Sequence, residues 1–243
     1  LDIYMPGMNG IEALREVRRR GNVVDVVLIS AADECRYLKE AIGLGALDYL
    51  IKPFSFDRFR STLNSYTIYR RTLDSVIGQT LRPALWVVVD DGSTDATPAI
   101  LADYAARHDW IRVVSKPDRG HRAVGPGVIE AFYAGYATID PRAFAYSCKL
   151  DLDLDLPPRY FQTLVERMEA NPRIGTCSGK PYARHGDRLL SEKCGDEMSV
   201  GMTKFYRREC FEAIGGYVRQ VMWDAIDCWK ARQLGWIAVS WDE

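Results

Sequence analysis

Residues 87–95 of the chain read VVVDDGSTD, and residues 150–155 read LDLDLD. A β-branched apolar run that ends in acidic residues and a glycine turn predicts a buried strand, here Leu85–Val89. The second motif follows another predicted strand, Phe144–Leu150, and precedes a pair of prolines suited to a loop. Ligands of open α/β sheets bind at the carboxyl ends of strands. Both acidic ends are therefore expected to line a binding site.

Carboxylates at two strand ends suit a nucleotide sugar. One set can accept hydrogen bonds from a base or ribose. The other can hold Mg²⁺ or Mn²⁺ against a diphosphate, because both ions prefer hard oxygen ligands. Two alternatives stay open: Asp90 or Asp91 could cap the following helix, as Asp95 or Thr94 is expected to do, and Asp151, Asp153 and Asp155 could form a solvated face of an alternating strand.

Composition restricts the class of protein. The chain has 243 residues, of which 47% are hydrophobic and 27% charged, with a net charge of -1, so one large or two small domains with an ordinary core are expected. Without a basic excess, no nucleic-acid partner is expected. No window offers the run of about 18 apolar residues that a membrane span needs. The scattered cysteines lack a C-x-x-C pair, which favours free thiols in the cytoplasm, or at the inner face of the membrane.

Helical and strand patterns alternate along both parts of the chain, which predicts βαβ units and a mostly parallel sheet. Before residue 68, we expect a helix after Gly10, strands at Val23–Ile29 and Leu47–Ile51, a helix around Leu38–Ile42, and a long helix from Phe54 to about Thr80. After the strand at Leu85–Val89 we expect helix Thr97–Arg107, strand Ile111–Val114, helix Gly127–Ala137, strand Phe144–Leu150 and a helix carrying Phe161, Leu164, Val165 and Met168.

Three motifs of the first part resemble the receiver domain of bacterial response regulators. They are DIYMPGMNG at residues 2–10, LISA at 28–31 and DYLIKPF at 48–54. The resemblance implies that Asp2 is the phosphorylated carboxylate, Ser30 the phosphate-sensing hydroxyl and Lys52 their cationic partner, with a sensor kinase as partner. The alternative is that these residues are scaffold only, since the strand bearing the family's magnesium-binding acids is missing here.

From about residue 71 to the end, the chain resembles a family-2 glycosyltransferase of the GT-A fold. The motifs that carry the resemblance are TLDSV at residues 72–76, VDDGSTD at 89–95, KPDRG at 116–120, DLD at 151–153, GGY at 215–217 and WDAID at 223–227. The fold implied is α/β, a three-layer αβα arrangement with a mostly parallel, Rossmann-like sheet. A partial, flavodoxin-like receiver fragment would precede it.

The same resemblance implies the site residues. The nucleotide-sugar set comprises Asp90, Asp91, Ser93, Lys116, Arg119 and Asp151, and His121 joins Arg119 as a candidate for steadying diphosphate oxygens. Asp153 would bind Mn²⁺ or Mg²⁺, and Asp224 or Asp227 would be the catalytic base. The implied reaction is a metal-dependent, inverting transfer from a nucleotide sugar, with a UDP-sugar expected, to a glycan or lipid-linked acceptor.

The junction between the two parts is unusual. We expect domains at residues 1–68 and 69–243, the second lacking its first strand, with no linker between them. One hypothesis is a hybrid sheet, in which Leu47–Ile51 takes the empty place beside Leu85–Val89. The rival functions are a receiver phosphorylated on Asp2 and an inactive chimera whose activity was lost by truncation.

Overall fold

The computed structural model describes residues 1–243 except 4, 6, 23, 25, 32–36, 38, 39, 42, 47, 55, 94, 121–124, 186, 187, 193, 194 and 243; for residues 56–66, 184 and 185 it describes the backbone alone. The chain forms two compact units. Unit 1 contains residues 1–70 and 85–120, and unit 2 contains residues 71–84 and 121–243.

The first helix of unit 1, α1 (Gly10–Arg19), begins at a reciprocal cap. The side chain of Asn9 accepts a hydrogen bond from the backbone of Glu12, whose carboxylate accepts one from the backbone of Asn9. Such a capping box satisfies two helix-end donors at once. Gly10 is required here because an added Cβ would lie 2.4 Å from the carbonyl oxygen of Asp2.

Two short parallel strands follow α1. Strand β1 (Val27–Ser30) pairs with β2 (Asp48–Ile51), and α1 packs on them through a core that includes Leu14 and Leu28. The observed strands match the carboxyl ends of the predicted runs. Of the predicted helix around residues 38–42, Leu38 and Ile42 lie outside the described residues.

A 22-residue helix, α2 (Phe56–Ile77), leads to the next pair of strands. Strand β3 (Trp86–Asp90) lies parallel to β4 (Ile111–Ser115), and α3 (Thr97–Arg107) connects them. In this register Asp90 stands opposite Ser115. The acidic end of β3 therefore lies beside the start of the loop that follows β4.

The hybrid-sheet hypothesis is wrong for the part of the chain that the structure describes. Strand β2 pairs with β1, β3 pairs with β4, and no ladder joins β2 to β3 among these residues. A helix of this length spans roughly 33 Å, whereas a four-residue strand spans roughly 13 Å. Helix α2 is therefore too long to return the chain to the adjacent position in one compact crossover.

Unit 2 contains a four-stranded sheet in the order β10 (Ile237–Trp241), β6 (Ile174–Gly179), β9 (Thr203–Arg207) and β5 (Tyr146–Leu150). Strands β10 and β6 are parallel, whereas β9 is antiparallel to both β6 and β5. The remaining elements are α4 (Pro126–Tyr136), a short 3₁₀ turn (Pro141–Ala143), α5 (Tyr160–Ala170), an antiparallel hairpin of β7 (Tyr182–His185) and β8 (Arg188–Ser191), α6 (Arg208–Ala213) and α7 (Trp223–Gln233).

The predicted α/β class with parallel pairing is confirmed, and β9 and the β7–β8 hairpin are its antiparallel parts. An aromatic cluster joins helices to the sheet in unit 2, since Tyr217 packs edge-on against Phe132 and Trp223 at ring separations of 4.8 Å and 4.9 Å. This cluster fixes the loop that leads into α7. Within the described residues, no helix is both long and apolar enough to cross a membrane.

Candidate active site

The end of β3 forms a tight turn built by Asp90. Its buried carboxylate accepts a hydrogen bond from the backbone of Ser93 at 2.9 Å, and its carbonyl accepts one from the backbone of Lys116 at 2.8 Å. Gly92 has φ of 89°, and a Cβ there would lie 2.4 Å from the Cα of Asp118. The turn therefore needs glycine, and Asp90 is a structural part of it.

Asp91 is held by two cations from the loop after β4. The Nζ of Lys116 lies 2.5 Å from its Oδ1, and the Nη2 of Arg119 lies 2.7 Å from Oδ1 and 2.6 Å from Oδ2. Partial burial raises the pKa of Asp91, but the hydrogen bonds from Lys116 and Arg119 outweigh it and leave that pKa below its ordinary value. An ionised carboxylate offers about four lone-pair sites. The contacts with described residues use three of these sites.

The end of β5 is arranged around Lys149. Its mostly buried ammonium group, with 7% of the side chain exposed, forms an ion pair with Asp151 Oδ1 and donates to the carbonyl of Gly201 at 3.0 Å. Burial raises the pKa of Asp151, and the attraction of Lys149 opposes this shift without cancelling it. The backbone of Asp151 also donates to Met202 at 2.9 Å, which extends the β5–β9 pairing past Leu150.

Asp153 differs from Asp151, because it is exposed and its side chain forms no hydrogen bond or ion pair with another described residue. The loop that carries it is fixed from α2. The buried hydroxyl of Thr72 donates to the carbonyl of Leu154 at 2.6 Å and accepts from its backbone N–H at 2.9 Å. Gln79 donates to the carbonyl of Pro157 at 2.8 Å. The carboxylate is therefore open while its backbone is held.

The start of α7 places Asp224 beside the same backbone that Lys149 contacts. A Cβ on Gly201 would lie 2.9 Å from Oδ2 of Asp224, so the carboxylate lies close to Gly201 and a larger residue there would have to displace it. The side chain of Asp224 is half-buried and forms no hydrogen bond with another described residue. Gly201 thus connects two of the predicted site residues, Asp151 through Lys149 and Asp224 directly.

Asp227 has a different environment, although it lies one helical turn after Asp224. It is 1% exposed, and its Oδ1 forms an ion pair with Lys204 and accepts from the backbone of Cys228 at 2.7 Å. Its Oδ2 accepts from the hydroxyl of Tyr206 at 2.6 Å. Burial raises the pKa of Asp227 more than Lys204 lowers it. With both oxygens engaged and 1% exposure, Asp227 is placed to hold structure, which leaves Asp224 as the more accessible of the two predicted bases.

The receiver-like residues also come together. The Nζ of Lys52 lies 2.6 Å from Oδ2 of Asp2, and the backbone of Lys52 donates to the carbonyl of buried Ser30 at 2.6 Å. These three residues form the second candidate site. Among the described residues, no group of three or more His, Cys, Asp or Glu side chains is arranged to hold a metal.

The predicted nucleotide-sugar, metal and catalytic residues are divided between the two units. Asp90, Asp91, Ser93, Lys116 and Arg119 belong to unit 1, whereas Asp151, Asp153, Asp224 and Asp227 belong to unit 2. Their convergence on one pocket stays a prediction. His121 and Thr94 lie outside the described residues. Sequence reasoning missed Thr72, Gln79, Lys149 and Lys204, although a lysine in an apolar strand is a visible sign of a buried ion pair.

Comparison with known protein families shows which families the two parts of the chain match. The family model described as "Glycosyl transferase family 2" matches residues 61–210, which is more than half of the chain. The chain belongs to glycosyl transferase family 2. The model described as "Response regulator receiver domain" matches residues 1–64, so both predicted relationships are confirmed. Membership in the transferase family supports glycosyl transfer as the general activity.

A solved structure shares the fold of this family 2 chain. It is the mannosyltransferase PcManGT from Pyrobaculum calidifontis, determined in complex with GDP-Man and Mn²⁺. The TM-score is 0.52 at 20% sequence identity, and the match covers 73% of this chain and 51% of that one. At this identity the similarity shows a shared GT-A-like fold.

Curated relatives match the amino-terminal part. The transcriptional regulatory protein MalR of Bacillus subtilis is 54% identical over 66 residues, 27% of this chain and 28% of MalR. CitT of the same organism is 44% identical over 75 residues, 31% of this chain and 33% of CitT. ZraR of Escherichia coli is 34% identical over 74 residues, 30% of this chain and 17% of ZraR. The chain therefore spans a third or less of each of these regulators.

Proposed function

We propose that the chain transfers a sugar from a nucleotide-sugar donor to an acceptor hydroxyl, with the reaction centre at the end of β5 and the start of α7. The observation that carries this proposal is the contact at Gly201. There one residue lies close to the carboxylate of Asp224, and its carbonyl accepts the hydrogen bond of Lys149, which also pairs with Asp151. We assign to this centre the two predicted site carboxylates that form no hydrogen bond with another described residue, Asp153 and Asp224.

The residues present fit a divalent cation that is completed by substrate. Mg²⁺ is commonly bound by one or two carboxylates together with substrate phosphates and water. Asp153 supplies one exposed carboxylate with no side-chain partner among the described residues, and a closed cage of protein ligands is not needed. When bound, Mn²⁺ or Mg²⁺ would supply neutralisation of the charge on the leaving diphosphate.

Lys149 makes the two carboxylates of the DLD motif, Asp151 and Asp153, electrostatically different. Its ion pair offsets the charge of Asp151, so Asp153 carries the uncompensated negative charge of the motif. The same ammonium group fixes the carbonyl of Gly201 and thereby the surface against which Asp224 lies. Lys149 thus orients both sides of the proposed centre.

Asp224 is the proposed general base. Its carboxylate accepts the proton of the acceptor hydroxyl while the acceptor oxygen forms a bond to the anomeric carbon. The bond between that carbon and the diphosphate oxygen breaks in the same step, and the electron pair leaves with the nucleoside diphosphate. Attack from the opposite face inverts the anomeric configuration, so no covalent nucleophile is required.

Asp91 is the proposed acceptor for the nucleoside. Its remaining lone-pair site can accept a hydrogen bond from an N–H of the base or a hydroxyl of the ribose, and Lys116 and Arg119 fix the direction of that site. We propose a UDP-sugar as donor, a glycan or lipid-linked acceptor, and a cytoplasmic location. A GDP-sugar is the other donor to test, because the structurally similar mannosyltransferase was solved with GDP-Man.

A panel of UDP-sugars and GDP-sugars tests this function. Each donor is incubated with the protein, Mn²⁺ and short glycan or lipid-linked acceptors, and nucleoside diphosphate release is measured with and without a chelator. We expect release from one donor class, its loss on chelation, and an inverted anomeric configuration in the product by NMR. Absence of release from every donor, or retention of configuration, would contradict the proposal.

A second function, phosphoryl transfer to Asp2 from a sensor kinase, is favoured by the 2.6 Å contact between Asp2 and Lys52. Incubation with acetyl phosphate and Mg²⁺ followed by mass spectrometry tests it. A mass increase of one phosphoryl group in the parent chain and its absence in Asp2→Asn would support this function, whereas an unmodified parent would exclude it.

A further inference from the structure

Lys204 is a fully buried lysine in the central strand β9. Moving an ammonium group out of water costs several kcal/mol, which is recovered only through well-placed partners. The side chain of Lys204 is 0% exposed. Its partners therefore identify the part of the structure that its ammonium group stabilises.

The partners of Lys204 lie on α7. Its Nζ donates to the backbone carbonyl of Asp224 and forms an ion pair with Oδ1 of Asp227. The same ammonium group lies 5.5 Å from the ring centre of Trp223. Tyr206, two residues further along β9, donates to the other oxygen of Asp227 at 2.6 Å. The first turn of α7 is thus bound to the sheet at two points one helical turn apart.

Two attachments on one helix face fix its rotation as well as its position. Since residues three apart lie on neighbouring parts of a helical surface, contacts at residues 224 and 227 define which way that face turns. The side chain of Asp224 projects from the same residue whose carbonyl Lys204 holds. A rotation of the first turn would move its carboxylate away from Gly201.

The residue before α7 has an unfavourable backbone conformation. Met222 has φ of 61° and ψ of 23°, a left-handed conformation that is unfavourable for a residue with a side chain. Backbone of this kind persists where the surrounding structure determines it. Met222 and Val221 are exposed, so the turn is held by the residues on either side of it, Tyr217 in the aromatic cluster and the first turn of α7.

We propose that Lys204 is a positioning residue, which acts through the first turn of α7 to direct the carboxylate of Asp224. This inference rests on the proposed function, in which Asp224 is the base. A purely structural lysine would affect stability and would lower apparent kcat only in proportion to the folded fraction, with KM unchanged. A positioning residue affects the chemical step while donor binding is retained.

The test uses Lys204→Met combined with Asp227→Asn, which removes both charges and leaves no unpaired buried ion. The matched control is Lys230→Met, since Lys230 lies on the same helix and donates to the carbonyl of Ile214 at 3.2 Å. Hydrogen exchange of the backbone amides is followed along α7. We expect exchange in the first turn to rise roughly tenfold relative to the last turn in the double variant, and no such gradient in the control.

The kinetic arm uses the nucleotide sugar that the parent chain consumes. We expect kcat per folded molecule of the double variant, with the folded fraction taken from circular dichroism, to fall roughly 10- to 100-fold, because small misplacement of a reacting group has an effect of this size, while KM for the donor changes less than about twofold. Tyr206→Phe keeps both charges and removes one hydrogen bond. It is expected to lower kcat by about threefold to tenfold with the same unchanged KM.

The outcomes separate this inference from the proposed function. If the parent chain turns over no donor, the proposed function fails and the exchange gradient still decides whether Lys204 holds the first turn. Uniform exchange along α7 in the double variant would overturn the inference. So would a rise in KM with unchanged kcat. If the double variant does not fold, Tyr206→Phe decides by the same two measurements.

Discussion

The carboxyl ends of β3 and β5 look alike in sequence but differ in structure. Each ends in acidic residues and each provides a carboxylate paired with lysine, Asp91 with Lys116 and Asp151 with Lys149. At β3 the lysine comes from a loop and an arginine joins it, so the carboxylate is nearly saturated with donors. At β5 the lysine comes from the strand itself and leaves a second carboxylate, Asp153, without a side-chain partner among the described residues.

The two carboxylates therefore suit different ligands. A carboxylate already bound by two cations has little remaining charge to offer a metal, but it has a defined lone pair for a hydrogen bond. A carboxylate that is exposed and uncompensated suits a hard divalent cation. We therefore propose nucleoside recognition for the end of β3 and, separately, metal binding for the end of β5.

The largest expected effect is that of Asp224→Asn. The amide keeps the shape of the side chain but cannot accept a proton, and general-base catalysis typically contributes about 10²- to 10⁴-fold. We expect kcat to fall within that range while nucleoside diphosphate binding is unchanged, measured as turnover and by calorimetry. Asp155→Asn, at an exposed position outside the proposed centre, is the control and should keep parental turnover. Near-parental turnover in Asp224→Asn would remove Asp224 as the base.

The second prediction compares the two lysines by stability. Lys149→Met leaves a half-buried carboxylate without its cation and is expected to lower the free energy of unfolding by about 2–3 kcal/mol. Lys116→Met removes a more exposed contact and should cost less than about 1 kcal/mol. Urea unfolding of both variants measures the difference. Equal losses would mean that the two strand ends have the same electrostatic environment.

The third prediction, with a smaller expected effect than the first two, is that Asp91→Asn weakens nucleotide binding. Loss of one charge-assisted hydrogen bond weakens binding by roughly fivefold to tenfold, which calorimetry with UDP would detect. Asp103→Asn is a suitable control, because Asp103 forms an exposed ion pair with Arg107 on a helix surface. Unchanged affinity in Asp91→Asn would place nucleoside recognition elsewhere.

The smallest effect concerns pH. The pKa of Asp91 in the folded state lies below the ordinary value of 3.8, so its stabilising contribution is complete above that value and is lost as pH falls through the folded-state pKa. The contribution is below about 1 kcal/mol because the pair is partly exposed. We expect the stability difference between parent and Asp91→Asn to stay constant from about pH 7 to pH 4 and to shrink only below that range. A difference that disappears between neutral pH and pH 5 would contradict the lowered pKa.

The sequence was sufficient for the local elements. Apolar runs ending in acidic residues located β3 and β5, and the periodic segments located α3, α4 and α5 within a few residues. The glycine after Asp91 was correctly associated with a turn, since a positive φ and a close backbone approach both exclude other residues there.

Long-range contacts could not be obtained in the same way. Nothing local to Asp224 and Asp227 distinguishes one acid from the other. Their difference arises from Lys204 on β9, about 20 residues away, and from Gly201. The hybrid-sheet hypothesis was wrong for a related reason. Strand pairing depends on the position to which the 22-residue helix leads the chain, and the order of strands in the sequence does not define that position.

The most direct test of the account is metal-dependent nucleotide binding at the end of β5. Calorimetry with UDP and with GDP is performed with and without Mn²⁺ on the parent chain, Asp153→Ala and Asp155→Asn. We expect Mn²⁺ to strengthen binding at least roughly tenfold in the parent and in Asp155→Asn, and we expect Asp153→Ala to lose this enhancement. An enhancement retained in Asp153→Ala would contradict the assignment of Asp153 and, with it, the proposed reaction centre.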